Sequence, residues 1–275
     1  LTHPLVEALR SSDPARRHEA CLAAPEDPSA VLLADALGEA LGDPVREVSK
    51  AAAEALVRIG LRQRGVEDAL RRALRCEDPR RRYHAAAAFA RLAPPSPSLV
   101  PALVAALGHP EGDVRWGAAR LLVDTGRLHG EVLGILLGLL GGAERPRVRR
   151  MAAFALRELA PDHPACARAL VVASEDDDPD VKRAALSAMA SLLVPGPEVE
   201  RRLLRALDED PDPASRRIAA VALGALGESH PGWLSATTEA RLRALAEGAA
   251  DTDLRRGAAR ALARLAAARS EVSPR

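Results

Sequence analysis

One histidine in this chain stands directly before a carboxylate, in His18-Glu19. On a helix such a pair offers a metal one imidazole and one acid oxygen, and a dinuclear centre needs several such donors converging. The remaining histidines do not supply them. His84 follows Tyr83, and His3, His109, His129, His163 and His230 fall in expected turns or helix starts. Cys21, Cys76 and Cys166 are too far apart for a metal-type spacing. An odd, sparse count of cysteines points to free thiols in a reducing compartment, hence a cytoplasmic setting. No Ser-His-Asp order, glycine-rich phosphate loop or CxxC motif stands out. The expectation is a chain with no catalytic residues, no metal and no cofactor.

A different set of side chains recurs at regular spacing: His18, Lys50, Tyr83, Trp116, Arg150, Arg183, Arg217 and Arg256. One helical turn beyond three of them stand Arg120, Phe154 and Arg260. Three of the five aromatic residues in the chain, Tyr83, Trp116 and Phe154, thus belong to one series that gives way to arginines. Aromatics and arginines are the residues that anchor protein interfaces. Guanidinium forks also hold carboxylates two bonds at a time. The chemistry expected of this series is recognition, with Tyr83, Trp116, Arg120, Arg150, Phe154, Arg183, Arg217 and Arg256 as the partner-binding residues.

The elements that position them are set by an alanine ladder. Ala20, Ala52, Ala85, Ala118, Ala152, Ala185, Ala219 and Ala258 follow one another at gaps of 32, 33, 33, 34, 33, 34 and 39 residues. A period of this size means stacked helical units. Counting from the residue four before each alanine as position 0, apolar residues fall at 0, +4, +7, +8 and +11, one face of an α-helix. This helix is called B, and the recognition series occupies its position +2. A second amphipathic stretch, A, precedes each B helix, as in Val31–Leu41, Val66–Leu74, Leu99–Leu107, Val132–Leu140 and Val199–Leu207. The alanine at +4 marks close helix approach. Asp13-Pro14, Asp43-Pro44, Asp78-Pro79 and Asp178-Pro179 are expected to cap B helices, with proline at the first helical position.

Position +1 is basic in seven of the eight repeats, as Arg17, Arg82, Arg115, Arg149, Lys182, Arg216 and Arg255. A cation there opposes the helix dipole. Turn carboxylates such as Asp78, Asp113, Asp180 and Asp253 are the expected partners, and a row of phosphate-binding arginines is the alternative. The last, longer spacing places an insertion near Gly227–Thr237, whose Trp233 is expected to pack over neighbouring helices rather than bind a ligand. The first repeat is degenerate, with Ala24 and Asp27 at +8 and +11, and reads as an N-terminal cap.

Composition narrows the partner. There are 39 basic and 38 acidic residues, a net charge of +1, where a generic polyanion binder carries a larger basic excess. Aromatics at 2% argue against base-stacking platforms. The longest apolar run, Val132–Gly142, is shorter than the ~18 residues a membrane span requires. No stretch reads as a signal peptide, and the chain opens on Leu1.

Strings such as DPDVKRAALSAM, GDVRWGAARLL, RVRRMAAFALREL and TDLRRGAARALARL resemble HEAT and HEAT-like (PBS-lyase-type) repeats. The resemblance implies an all-α, right-handed α-solenoid of about eight stacked antiparallel helix pairs. It spans 1–268 as one domain, followed by a polar tail, 269–275. It also implies that B helices line a concave groove, which would hold the +2 series. Among enzymes of this fold, the deoxyhypusine hydroxylases bind two irons through repeated His-Glu pairs at +2 and +3. Here only His18-Glu19 matches; the other repeats carry Lys50-Ala51, Tyr83-His84, Trp116-Gly117, Arg150-Met151, Arg183-Ala184, Arg217-Ile218 and Arg256-Gly257. HEAT-like DNA glycosylases use aromatics and an acid, for which Trp116 and Asp124 are the nearest counterpart, two turns apart. Nothing marks the tetrapyrrole pocket of a bilin lyase. The expected function is a non-catalytic scaffold or adaptor holding another protein, by an acidic segment, in its groove. Nucleic-acid binding by the same arginine stripe is the second reading, and a HEAT-like lyase subunit the third.

Overall fold

The computed structural model describes residues 3–143 and 145–272, the last two by backbone alone. Among the described residues there are sixteen α-helices, three short 3₁₀ turns and no strand. The helices form eight pairs, as the period requires. The A helices are α1 (Pro4–Leu9), α3 (Ala34–Ala40), α5 (Glu67–Leu74), α7 (Val100–Ala106), α9 (Glu131–Gly142), α11 (Pro164–Ala173), α13 (Pro197–Glu209) and α15 (Ala236–Gly248). The B helices are α2 (Pro14–Ala23), α4 (Arg46–Arg62), α6 (Pro79–Leu92), α8 (Gly112–Leu128), α10 (Pro146–Leu159), α12 (Pro179–Met189), α14 (Pro213–Ser229) and α16 (Thr252–Val272). The last helix runs four residues into the segment expected as a tail, and 273–275 lie outside the described residues.

Contacts divide the chain into two compact units, 1–132 and 133–275. In the first, α2, α4, α6 and α8 pack in succession, each B helix on the next, with the A helices alongside. In the second, α10, α12, α14 and α16 do the same. The alanine ladder lies at these contacts: all eight alanines are at most 2% exposed. Small side chains are needed because the helices approach closely. At Gly224 a Cβ would sit 2.7 Å from both Cα and Cβ of Ala261, so α14 and α16 touch almost backbone to backbone.

The Asp-Pro turns mostly do what their sequence requires. Asp13, Asp78 and Asp178 cap α2, α6 and α12 by accepting from backbone amides one to two residues into the helix, with proline following each cap. Asp212-Pro213, not singled out from sequence, does the same for α14. Asp43-Pro44 departs from the expectation: α4 begins only at Arg46, after Val45. Asp43 is occupied otherwise. Its carboxylate accepts from Arg17 Nε at 2.6 Å and from Arg17 Nη2 at 3.0 Å, and from the Val45 amide at 2.8 Å.

That contact belongs to a ladder whose rungs differ from those expected. Three of the seven +1 cations pair with the carboxylate at −5 of the following repeat: Arg17 with Asp43, Arg149 with Asp176, and Lys182 with Asp210. The same arginine also donates to the carbonyl six residues before it, as Arg17 does to Ser11, Arg115 to His109, Arg149 to Ala143, Arg216 to Asp210 and Arg255 to Ala249. The +1 side chain therefore folds back over its own A–B turn and ties it to the next. Asp78 is spent on its helix cap. Asp113, Asp180 and Asp253 face other cations, those of positions −2 and +2.

The insertion near Trp233 packs inward. Trp233 Nε1 donates to the Pro195 carbonyl at 3.0 Å, and His230 Nε2 lies 3.0 Å from the Leu192 carbonyl. His129, at the same register as His230, meets Pro95 O at 3.1 Å. These two turn histidines fasten one repeat to its predecessor.

Candidate functional site

The +2 series is the fifth residue of each B helix, one turn in from the A–B turn, where its cations reach carboxylates at the helix starts. In the first unit Tyr83 closes the middle of the row. Tyr83 is half-buried, and its hydroxyl lies where position 117 has no side chain: a Cβ at Gly117 would be 1.9 Å from it. Burial raises the Tyr83 pKa, so the phenol stays protonated. Its neighbour His84 is buried at 7% exposure, with the two rings 5.0 Å apart. Burial, then the nearby Arg80 cation, pushes His84 down to about 4. Arg46 and Lys50 of α4 both reach Asp113 on α8, at 2.6 and 3.4 Å, and so span the start of α6 between them. Trp116 is 41% exposed, and Arg120 is exposed one turn further along.

In the second unit the row is open and cationic. Arg150 lies 3.5 Å from Asp180; Arg183 bridges Asp180 at 2.5 Å and Asp212 at 3.1 Å; Arg217 lies 3.5 Å from Asp251. Arg256 pairs with Asp253 within its own first turn, at 3.4 Å. Asp212 is held well below the ordinary carboxylate range. Burial opposes its ionisation, but the Ala214 amide, the Ser215 hydroxyl and Arg183 carry it down to about 2. Phe154 is half-buried under the Arg157 guanidinium, 4.6 Å from the ring centre.

Between α12 and α14 this face opens into an apolar slot of about 350 Å³. Its walls are Ser187 and Ala190 on one side and Ala214, Ile218, Val221 and Ala222 on the other, with Arg217 at the rim. Val221 is 48% exposed, an apolar side chain left facing solvent on the B-helix side. Sequence reasoning named Arg217 but not Ile218 or Val221. Their signal was present, since Val221 occupies +6 where other repeats hold Arg120, Phe154 or Arg260.

The two arginine series differ in hold. Arg149 grips Asp176 with two bonds of 2.7 and 2.8 Å, both side chains largely buried. Arg217 and Arg150 make single 3.5 Å contacts at 38% and 40% side-chain exposure. Exposed pairs of that kind are worth ~0–1 kcal/mol and exchange partners cheaply.

The chemistry of a nucleophile or metal site is not assembled from these residues. Burial pushes the Cys21 thiol up to about 12 and the Cys166 thiol up to about 11, away from the thiolate that a nucleophile requires. Among the described residues no three His, Cys, Asp or Glu side chains converge as metal donors. Asp124, the acid set beside Trp116, pairs with Arg127. No helix among the described residues is long and apolar enough to cross a membrane.

A family model of HEAT repeats matches residues 2–90, 66–157, 132–223 and 167–263. The chain belongs to the HEAT-repeat family. No match is found among the curated proteins. Among solved structures, importin beta is similar over 98% of this chain and 41% of its own, at 17% identity and a TM-score of 0.64. Kap121p is similar over 96% of this chain and 37% of its own, at 14% identity and a TM-score of 0.58. Kap121p bound to Nup53p gives a TM-score of 0.53 at the same identity. The HEAT-repeat chain therefore spans about two fifths of the length of these neighbours, and at such identities the likeness is one of fold.

Proposed function

We propose that this HEAT-repeat protein is a non-catalytic scaffold that holds a partner protein against its B-helix face. The observation that carries the reading is the slot between α12 and α14, which sets exposed Val221 and Ile218 beside the loosely held Arg217. An apolar side chain of the partner would fill the slot, and a neighbouring carboxylate would replace Asp251 on the guanidinium fork. Arg150, Arg183 and Arg256 extend the cationic edge, and Phe154 adds an aromatic surface. In the first unit Trp116 and Arg120 offer exposed contacts, while Tyr83 supports them from beneath. Kap121p, a neighbour in fold, is itself bound to a protein, Nup53p, which accords with a protein partner.

Affinity capture from a native lysate tests this, comparing wild type with the double variant Val221→Asp/Arg217→Glu. Val221 faces solvent and Arg217 makes one exposed contact, so helicity should be unchanged and melting should fall only slightly. The expected result is a protein retained by wild type and lost by the variant, with shallow salt dependence. Retention of nucleic acid instead, with affinity falling steeply between 50 and 200 mM salt, would overturn the reading. The geometry disfavours that outcome, because each stripe arginine of the second unit already faces a carboxylate that would repel phosphate.

A further inference from the structure

The slot between α12 and α14 lies at a register that the preceding repeat fills with a ring of its own. In α10, positions +6 and +9 are Phe154 and Arg157. In α12 the same positions are Ser187 and Ala190, and both line the slot. Phe154 is half-buried, with the Arg157 guanidinium 4.6 Å from its ring centre. Where α10 carries a phenyl ring and a guanidinium, α12 carries a hydroxyl and a methyl group, and about 350 Å³ stays open.

The lining suits a ring. Ala214 and Ala222 present methyl groups, Ile218 and Val221 add branched walls, and Arg217 is the charged group of the lining. Asp251 already holds Arg217, by one contact of 3.5 Å. A carboxylate binds a guanidinium in its plane, so the pair leaves the flat faces available for stacking. The chain combines these two contacts twice. Arg157 donates to Glu158 at 3.1 Å while it lies over Phe154. Arg71 donates to Asp68 at 2.8 Å while its guanidinium lies 5.9 Å from the Phe89 ring centre. At such distances the negative face of an aromatic ring attracts the cation, and an aliphatic side chain has no such face.

We infer that the partner segment held in this slot is anchored by an aromatic side chain, whose ring enters at the register of Phe154 and stacks on Arg217. The ring is the apolar group of the scaffold reading, on which this assignment depends. Stacking uses the face of the guanidinium, so it holds whether Asp251 or a carboxylate of the partner occupies the edge. Ser187 and Ala190 admit the ring by being small, and Arg217 distinguishes it from an aliphatic group of the same shape.

The test uses the full chain with two probes of similar shape, the N-acetyl amides of phenylalanine and of cyclohexylalanine, followed by NMR of the Ile218 and Val221 methyl groups. The cyclohexyl probe is the more apolar of the two but offers a cation no ring face. The phenyl probe should shift both sets of methyl signals saturably and bind about two- to fivefold more tightly than the cyclohexyl probe. Arg217→Met keeps an apolar stem and should remove that preference. Ser187→Phe, at an exposed position, supplies the ring that α10 has and should abolish binding of the phenyl probe while far-UV circular dichroism stays unchanged. Equal or tighter binding of the cyclohexyl probe to wild type, an unchanged ratio in Arg217→Met, or undiminished phenyl binding by Ser187→Phe overturns the proposal. Loss of the captured protein from Val221→Asp/Arg217→Glu with no phenyl preference would sink the aromatic anchor and leave the scaffold reading standing. A phenyl preference with the captured protein retained by that variant would do the reverse.

Discussion

The first and second units are built on the same ruler yet treat position +2 in opposite ways. In the first, the middle of the row is filled from within, while Trp116 stays exposed: the Tyr83 hydroxyl occupies the space over Gly117, and Arg46 and Lys50 bridge to Asp113 from α4 to α8. In the second, four arginines reach carboxylates on neighbouring or own turns, and an apolar slot stays open between α12 and α14. Residue type alone therefore does not make an interaction surface. The aromatic Tyr83 becomes packing because the next repeat has glycine at +3, whereas Arg217 stays at the rim beside an exposed valine at +6.

This contrast has consequences that can be measured. The largest is acid sensitivity of the first unit. His84 is held neutral by burial, facing Arg80 and Lys50 on one side and Asp113 and Asp78 on the other. Its folded pKa, near 4, lies below the ordinary value of about 6.5, so the unfolded chain takes up a proton that the folded chain refuses. Stability is full above pH 6.5 and is lost as pH falls towards 4, by roughly 2–3 kcal/mol. Hydrogen exchange should show α6 losing protection over that window, and His84→Gln should flatten the dependence. An unchanged pH profile in the variant would mean that His84 is hydrated and the first row less closed than described.

Next comes the difference between the two arginine series. Arg149→Ala removes two short charged bonds and leaves Asp176 largely buried, so chemical denaturation should show a loss of about 1.5–3 kcal/mol. Arg217→Ala removes one exposed 3.5 Å contact and should cost ~0–1 kcal/mol. Equal losses would erase the distinction between a structural ladder at +1 and an exchangeable one at +2. Asp176 is held below the usual carboxylate range chiefly by its bonds from Arg149. Its contribution is therefore present above about pH 4 and disappears as pH falls below it.

The smallest effect is the sharpest comparison. Gly117 and Gly257 both stand at +3, but a Cβ at 117 meets the Tyr83 hydroxyl at 1.9 Å whereas one at 257 has its nearest neighbour, Ala220 Cβ, at 3.8 Å. Thermal melts should show Gly117→Ala destabilised by about 1 kcal/mol through overpacking. Gly257→Ala should be stabilised by about 0.5–1 kcal/mol, the ordinary gain of alanine over glycine in a helix. Adding Tyr83→Phe should restore the first variant only in part, since ring carbon Cζ still lies 2.8 Å from the Cβ at 117, and leave the second untouched.

Much of this was legible in the sequence. The alanine ladder, the A and B stretches and most Asp-Pro caps follow from local rules of periodicity and capping, and the structure has them. Partners across repeats were harder. Asp43 looks like a cap from its proline, but Arg17 one repeat earlier takes the carboxylate and the helix starts later. The +1 ladder ends on Asp176 and Asp210 rather than Asp180 and Asp253 because the side chain folds back over its turn, a direction that residue spacing does not encode. His129 and His230 share a register that was visible, but the carbonyls they meet lie in the preceding repeat. Of the candidate surface, the arginines could be read from the ruler. The register of Ile218 and Val221 could be read too, but not their place in the slot, which depends on how far α12 and α14 stand apart at that level.

The proposed partner-binding surface is the open row of the second unit. It is tested most directly by capturing partner on three proteins in parallel: wild type, the second-unit variant Val221→Asp/Arg217→Glu, and the first-unit variant Trp116→Ala/Arg120→Ala. With folding matched by melting temperature, the second-unit variant should lose the partner, while the first-unit variant keeps it at reduced occupancy. Full retention by the second-unit variant, or loss confined to the first-unit variant, would contradict the account.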